Sequence, residues 1–227
     1  MTLALTVVPD AEALAAAVAS AIAGAISTAI AERNRAVVAF SGGTTPAAML
    51  RRLSGADLAW SNVAVFQVDE RVAPDGSDDR NATMLMRELL DHVPAQSYLM
   101  PVTRDRLEDA ADSYALLLGD VCGGVLDVVH LGLGADGHTA SLVPDDPVLD
   151  ETAADVALTQ EYRGHRRMTM TLPLLNRARA VIWEVAGADK SPALAQLIRG
   201  GDIPAARVEQ QHATLYADTA AAGDLER

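Results

Sequence analysis

Short, largely apolar runs separated by segments of helical spacing constrain this chain more than any other feature. Ala36-Val-Val-Ala-Phe40, Asn62 to Val68, Val125-Leu-Asp-Val-Val129 and Ala180 to Ala186 read as strands, with His212 to Ala217 as a last one. A strand with water on one face alternates apolar and polar residues, whereas a run with few polar residues fits burial on both faces. Helical spacing fills the intervals at Ala47 to Leu53, Asn81 to His92, Arg104 to Leu118 and Ser191 to Arg199. Met168 to Leu172 reads as a further strand. Strands alternating with helices imply an α/β protein, a three-layer Rossmann-like fold with a mostly parallel sheet covered by helices on both faces. No internal repeat, low-complexity linker or shift in composition divides the 227 residues, so a single domain over 1–227 is expected.

The segment Ala13 to Ala31 is uncharged and long enough to be mistaken for a membrane span. Its larger apolar residues, Leu14, Val18, Ile22, Ile26 and Ile30, form one stripe among Ala, Ser, Thr and Gly. No Lys or Arg precedes it to make a signal-peptide n-region. The expectation is a helix packed on the sheet, capped by Asp10, in a soluble cytoplasmic chain with no membrane partner. Cys122 is the one cysteine, which rules out an intrachain disulfide and agrees with that compartment. A formal charge of −13 argues against a nucleic-acid-binding surface but leaves room for a small phosphorylated ligand held by a few local cations. No Cys, His and carboxylate cluster has metal-ligand spacing, so no metal is expected.

Chemistry concentrates in Leu131-Gly-Leu-Gly-Ala-Asp-Gly-His-Thr-Ala-Ser-Leu-Val-Pro144. Gly132, Gly134 and Gly137 let the chain turn tightly after a strand. Asp136 and His138 stand inside that turn, at the strand end where open α/β sheets bind ligands. Imidazole is the side chain best poised for proton transfer near neutral pH. The glycines also spell the dinucleotide fingerprint G-x-G-x-x-G, with Asp150, Glu151 and Asp155 downstream. That fingerprint needs a long helix after its third glycine. Pro144 follows Gly137 by seven residues, with Pro147 behind it, and proline inside a helix costs about 3 kcal/mol. A dinucleotide site does not fit.

Three further segments carry candidate ligands. Ser41-Gly42-Gly43-Thr44-Thr45-Pro46 joins a strand to a helix, offering backbone N–H groups, hydroxyls and a helix N-terminus to an anion. It lacks the Gly-Lys-Ser/Thr ending of a Walker A loop. Asp69-Glu70-Arg71 closes a strand, where a carboxylate suits sugar hydroxyls and a guanidinium suits phosphate. Tyr162-Arg163-Gly-His165-Arg166-Arg167 is the one dense basic patch, a candidate cationic wall, and Lys190 opens a helix after Gly187-Ala-Asp189.

Taken together, these segments resemble the 6-phosphogluconolactonase family, in the superfamily that also holds the glucosamine-6-phosphate deaminases. The resemblance spans nearly the whole chain. It rests on residues 41–46, Asp69-Glu-Arg71 with Asn81 downstream, Gly132 to Pro144, Arg167-Met-Thr-Met-Thr171 and Gly187-Ala-Asp-Lys190. It implies hydrolysis of 6-phospho-D-glucono-1,5-lactone to 6-phospho-D-gluconate, a step of the oxidative pentose phosphate pathway, without metal or organic cofactor, and an obligate protein partner is not indicated. It further implies that His138 is the general base, that Asp136 orients the imidazole or the substrate, and that Arg167 stabilises charge on substrate oxygens. Ser41, Gly42, Gly43, Thr44, Thr45, Arg71 and Lys190 would hold the phosphate, Asp69 the sugar hydroxyls, and Asn81 and Gly134 would complete the substrate site. The family's usual Ser-Gly-Gly-Ser-Thr-Pro has Thr44 here, its Ser-Asn pair is Arg80-Asn81, and its Leu-Phe-Pro is Leu142-Val143-Pro144. A deaminase-like isomerase is the nearest alternative. Deaminases carry Ile-Ala-Phe-Asn-Glu-Pro after Asp-Gly-His, and Val143 cannot replace that glutamate in moving a proton. A non-enzymatic sugar-phosphate-binding protein is the other, and it would have no need of both Asp136 and His138.

Overall fold

The computed structural model describes residues 3–223 and Leu225. Its strands are β1 (Ala4–Val8), β2 (Ala36–Phe40), β3 (Val63–Gln67), β4 (Asp69–Arg71), β5 (Gln96–Tyr98), β6 (Val128–Gly132), β7 (Val156–Leu158), β8 (Arg167–Met170), β9 (Val181–Val185) and β10 (Ala213–Asp218). Helices α1 (Ala11–Arg33), α2 (Thr44–Ser54), α3 (Asn81–Leu85), α4 (Leu107–Cys122), α5 (Leu172–Leu175), α6 (Ser191–Arg199) and α7 (Thr219–Ala222) lie between them. Seven strands form one sheet in the order β1-β10-β9-β6-β2-β3-β5, and every pairing is parallel.

Alternation along the strands sends side chains to two cores. Val38, Phe40, Val65, Val128 and Ile182 meet α1 and α2 on one face. Val37, Ala39, Phe66, Val129, Leu131 and Trp183 meet α4 and α6 on the other. All five residues of β2 and of β9 are buried, Glu184 of β9 among them. The fold is therefore the three-layer α/β arrangement that the alternation implies.

Helix α1 begins where Asp10 accepts a hydrogen bond from Ala13 N at 2.9 Å, and ends at Asn34 in the left-handed conformation. By length and composition it is apolar enough to cross a membrane. Leu14, Val18, Ile22 and Ile26 are instead completely buried against the sheet, each contributing about 1.5–3 kcal/mol.

Several segments depart from the sequence expectation. Asp69-Glu70-Arg71 does not close a strand of the parallel sheet, and the run at 168–172 does not join that sheet either. Both lie in a separate antiparallel sheet, β4-β8-β7. Val68 is the crossing point, because its N–H donates to Phe40 O while its carbonyl accepts from Met170 N. Strand β8 stops at Met170, since Leu172-Pro173 opens α5. The run at 125–129 becomes a strand only from Val128; Asp127 just before it accepts the Val37 N–H through its carboxylate at 2.8 Å. The helix at 81–92 is α-helical to Leu85 and then π-helical over Met86–Leu90. Helix α4 starts and ends later than 104–118, and α2 starts at Thr44 rather than Ala47. Edge strands β1 and β5, and β7, were not anticipated; Gln96-Ser-Tyr98 carries no apolar pattern.

Candidate active site

From β2 the sheet grows one way through β3, and from β6 the other way through β9. The crevice at the carboxyl ends of β2 and β6 is thus a topological switch point, the place where such sheets bind ligands. Two loops leave from it. Ser41 Oγ ties them by donating to His130 O at 2.9 Å.

The first loop turns through Gly43, whose φ of 118° is a glycine conformation. Gly43 caps α2 with no side chain to receive the first helical N–H groups, so those donors remain available. Gly42 has no room for a side chain, since a Cβ would lie 1.9 Å from Asn81 Oδ1. Asn81 is held against the loop by Asp69, donating through Nδ2 to Asp69 O and Oδ1 at 2.9 and 3.1 Å. Its own N–H donates to Glu70 Oε1 at 2.8 Å.

The second loop folds back on itself, with Gly134 N donating to His138 O and Gly137 N to Gly134 O. Gly137 adopts a φ of 83° and packs its Cα against Ile203. This brings His138 Nδ1 to 2.5 Å from Asp136 Oδ1. Tyr162 donates its hydroxyl to Asp136 Oδ2 at 2.6 Å. Burial works against ionisation of Asp136, but the hydrogen bonds from Tyr162 and His138 outweigh it and hold the carboxyl at about 2. An ionised carboxylate only accepts, so Nδ1 carries the proton of the neutral imidazole. Among the described residues nothing takes the Nε2 lone pair, on a ring that lines the cavity. Asp136 itself stands behind the ring, off the cavity wall.

Asp69 is almost fully buried and accepts from Ser141 Oγ at 2.6 Å. Burial pushes its carboxyl up, against the Ser141 hydrogen bond and the charge of Arg167. Arg167 pairs across β4/β8 with Arg71 and is 6% exposed. Its guanidinium is pulled down by burial, with Asp69 opposing. Arg166 turns away instead, to Glu108 at 3.0 Å.

Every sequence-predicted site residue except Asp136 lines one cavity of about 690 Å³. Arg71 donates to Asp79 O at 3.0 Å, and Lys190 Nζ lies 2.7 Å from Asp189. Arg163 of the basic patch joins them, and sequence reasoning missed three other cations on the same wall, Arg51, Arg80 and Arg87. The cavity thus gathers seven cationic side chains against four carboxylates (Asp69, Asp78, Glu88, Glu184) in a chain of net charge −13. It suits an anion. Glu70 was missed as well. Completely buried, it accepts from the N–H groups of Arg71, Asn81 and Ala82 and from Gln67 Nε2. Arg80 Nε lies 3.0 Å from it. Adjacent acids in one strand face opposite ways, so nothing local marks both Asp69 and Glu70 as buried.

Residues 9–217 match the family model for glucosamine-6-phosphate isomerases/6-phosphogluconolactonase. A 6-phosphogluconolactonase of Mycobacterium tuberculosis is 35% identical over 236 aligned positions, covering 95% of each chain. That of Synechocystis sp. is 39% identical over 178 residues, 74% of this chain and 73% of its own. The crystal structure of a 6-phosphogluconolactonase from Shewanella baltica superimposes with a TM-score of 0.86 at 25% identity, over 95% of this chain and 97% of the other. This chain belongs to the glucosamine-6-phosphate isomerase/6-phosphogluconolactonase family.

Proposed function

We propose that the chain hydrolyses 6-phospho-D-glucono-1,5-lactone to 6-phospho-D-gluconate, in the oxidative pentose phosphate pathway, with His138 as general base. The observation that carries this reading is the Asp136–His138 pair, which leaves the Nε2 lone pair free at a cation-rich cavity. A water bonded to Nε2 attacks the lactone carbonyl carbon and gives its proton to the ring. Asp136 stabilises the imidazolium so formed. Arg167 faces the negative charge that develops on the carbonyl oxygen. As the tetrahedral intermediate collapses, the bond from C1 to the ring oxygen breaks, and that oxygen takes the proton back from Nε2. General-base catalysis of this kind supplies about 10²–10⁴-fold, enough for a lactone that already reacts in water.

The phosphate is assigned to the N-terminus of α2, with the backbone of Gly42 and Gly43, the hydroxyls of Ser41, Thr44 and Thr45, and the charges of Arg71 and Lys190. Asp69 and Asn81 take sugar hydroxyls, and Gly134 keeps the wall beside His138 free of side chain. A deaminase reading is disfavoured by Val143, which is buried and has no proton to move.

The test is the rate of lactone hydrolysis over the spontaneous reaction, with substrate made in situ and product read by 6-phosphogluconate dehydrogenase. His138→Asn is expected to remove the acceleration while the protein still binds 6-phosphogluconate. Folded wild-type protein no faster than buffer would overturn the reading.

A further inference from the structure

Tyr162 stands in the basic patch that the substrate contacts leave partly unused. It begins the tip of the hairpin joining β7 to β8. The ladder continues past both strands, Thr159 N donating to Arg167 O, and closes where Tyr162 N donates to His165 O at 2.9 Å. The two residues between, Arg163 and Gly164, have φ of 51° and 82°. Positive φ at both central positions is the turn whose twist matches the flanking strands, so the hairpin tip is rigidly set.

From this tip the side chain reaches the base. Its hydroxyl meets Asp136 Oδ2 at 2.6 Å, while His138 Nδ1 meets Oδ1 at 2.5 Å. The backbone N–H of His138 also donates to Oδ1, at 3.3 Å, so with donors on both oxygens the carboxylate cannot rotate about its terminal bond without losing a partner. The phenol ring also stands edge-on to the imidazole, centroids 5.6 Å apart at 65°. The guanidinium carbons of Arg163 and Arg167 lie 4.9 and 5.1 Å from the centre of the same ring. Arg167 Nη2 further donates to Tyr162 O at 3.4 Å. Both arginines line the cavity. One tyrosine therefore touches the carboxylate behind the base, the base itself and two cations of the wall.

We infer that Tyr162 is a positioning residue for the hydrolysis, its hydroxyl locking the Asp136–His138 pair and its ring seating Arg163 and Arg167 against the substrate. Burial and Asp136 both push the phenol pKa up, which keeps the hydroxyl a donor. The inference rests on His138 being the base, and its two halves separate by substitution. Tyr162→Phe deletes the hydroxyl and keeps the ring. It is expected to lower kcat about tenfold or more, the factor carried by one hydrogen bond to an ion, with KM within twofold of wild type. Tyr162→Leu deletes both, and KM is expected to rise as well. A merely structural tyrosine would lower the melting temperature and leave kcat and KM of the folded protein unchanged.

A second readout does not depend on turnover. The proton between His138 Nδ1 and Asp136 gives a far-downfield ¹H NMR signal, assigned by its loss in His138→Asn. In Tyr162→Phe that signal is expected to move or to exchange faster with water. Wild type inactive on the lactone would sink the proposed reaction alone, and the NMR signal would still decide the role of Tyr162. An unchanged signal, or kcat unchanged in an active enzyme, would overturn the inference.

Discussion

Replacing Gly134 with alanine puts a methyl group 2.0 Å from His138 Nδ1, 2.2 Å from Cε1 and 2.6 Å from Asp136 Oδ1. Ordinary contact begins at 3.4 Å, so the ring must withdraw by about 1.4 Å if the backbone holds. The 2.5 Å contact to Asp136 cannot survive that shift. A misplacement of about 1 Å costs on the order of 100-fold in rate, and complete loss of the base about 10²–10⁴-fold. The expected fall in kcat therefore lies in that range, about 3–5 kcal/mol of barrier. Stability should fall only by what the Asp136–His138 contact contributes. The atoms displaced belong to half-buried side chains that can swing toward solvent, and Gly134 lies outside the left-handed region. The assay is lactone hydrolysis with the spontaneous rate subtracted, beside a thermal melt of the same preparation. Activity within threefold of wild type in the Gly134→Ala protein would refute the claim that catalysis needs the imidazole where the turn places it.

Other perturbations follow from the same geometry. Glu70→Ala takes the carboxylate from Arg80 Nε, whose Nη1 keeps Asp75, and leaves three backbone N–H groups and Gln67 Nε2 without their acceptor, and should cost about 3–5 kcal/mol by urea denaturation. Asp136 is depressed in the folded protein, so its contribution to stability is complete above the ordinary value of 3.8 and is lost as pH falls through about 2. The urea midpoints of wild type and Asp136→Asn should accordingly converge as the pH is lowered through that window; a constant gap would contradict the pairing. Asp69 is shifted the other way by burial, so the folded state binds its proton more tightly than the unfolded chain. Wild type should gain stability relative to Asp69→Asn as pH falls toward 3.8, while KM for the lactone rises in the variant at neutral pH.

What was legible in the sequence was local. Runs such as Val37-Val38-Ala39 and Ile182-Trp183 announce buried strands because their burial on both faces is written in consecutive residues. The stripe from Leu14 to Ile26 announces the face of α1 for the same reason. The two loops were legible because glycine declares a backbone demand at a single position, at Gly43 by its φ and at Gly134 by lack of space. Asp136 and His138 are two residues apart, close enough for one turn to join them.

The rest was decided by contacts between residues far apart in the chain. Met168 to Met170 satisfies a strand pattern in any sheet. It pairs antiparallel with β4 because Val68 binds to both sheets and carries the chain from one to the other. Glu70 looks like half of a surface charge pair until Gln67, Arg80, Asn81 and Ala82 close around it. Tyr162 reaches Asp136 across 26 residues, and Arg51 reaches Glu88 across 37. Sequence by itself determined which segments turn, which are buried on both faces and where an imidazole and a carboxylate share a turn, because those are properties of a few adjacent residues. Only the tertiary structure decided which charges are buried together and what stands behind the base, because register and side-chain packing are settled by the whole core at once.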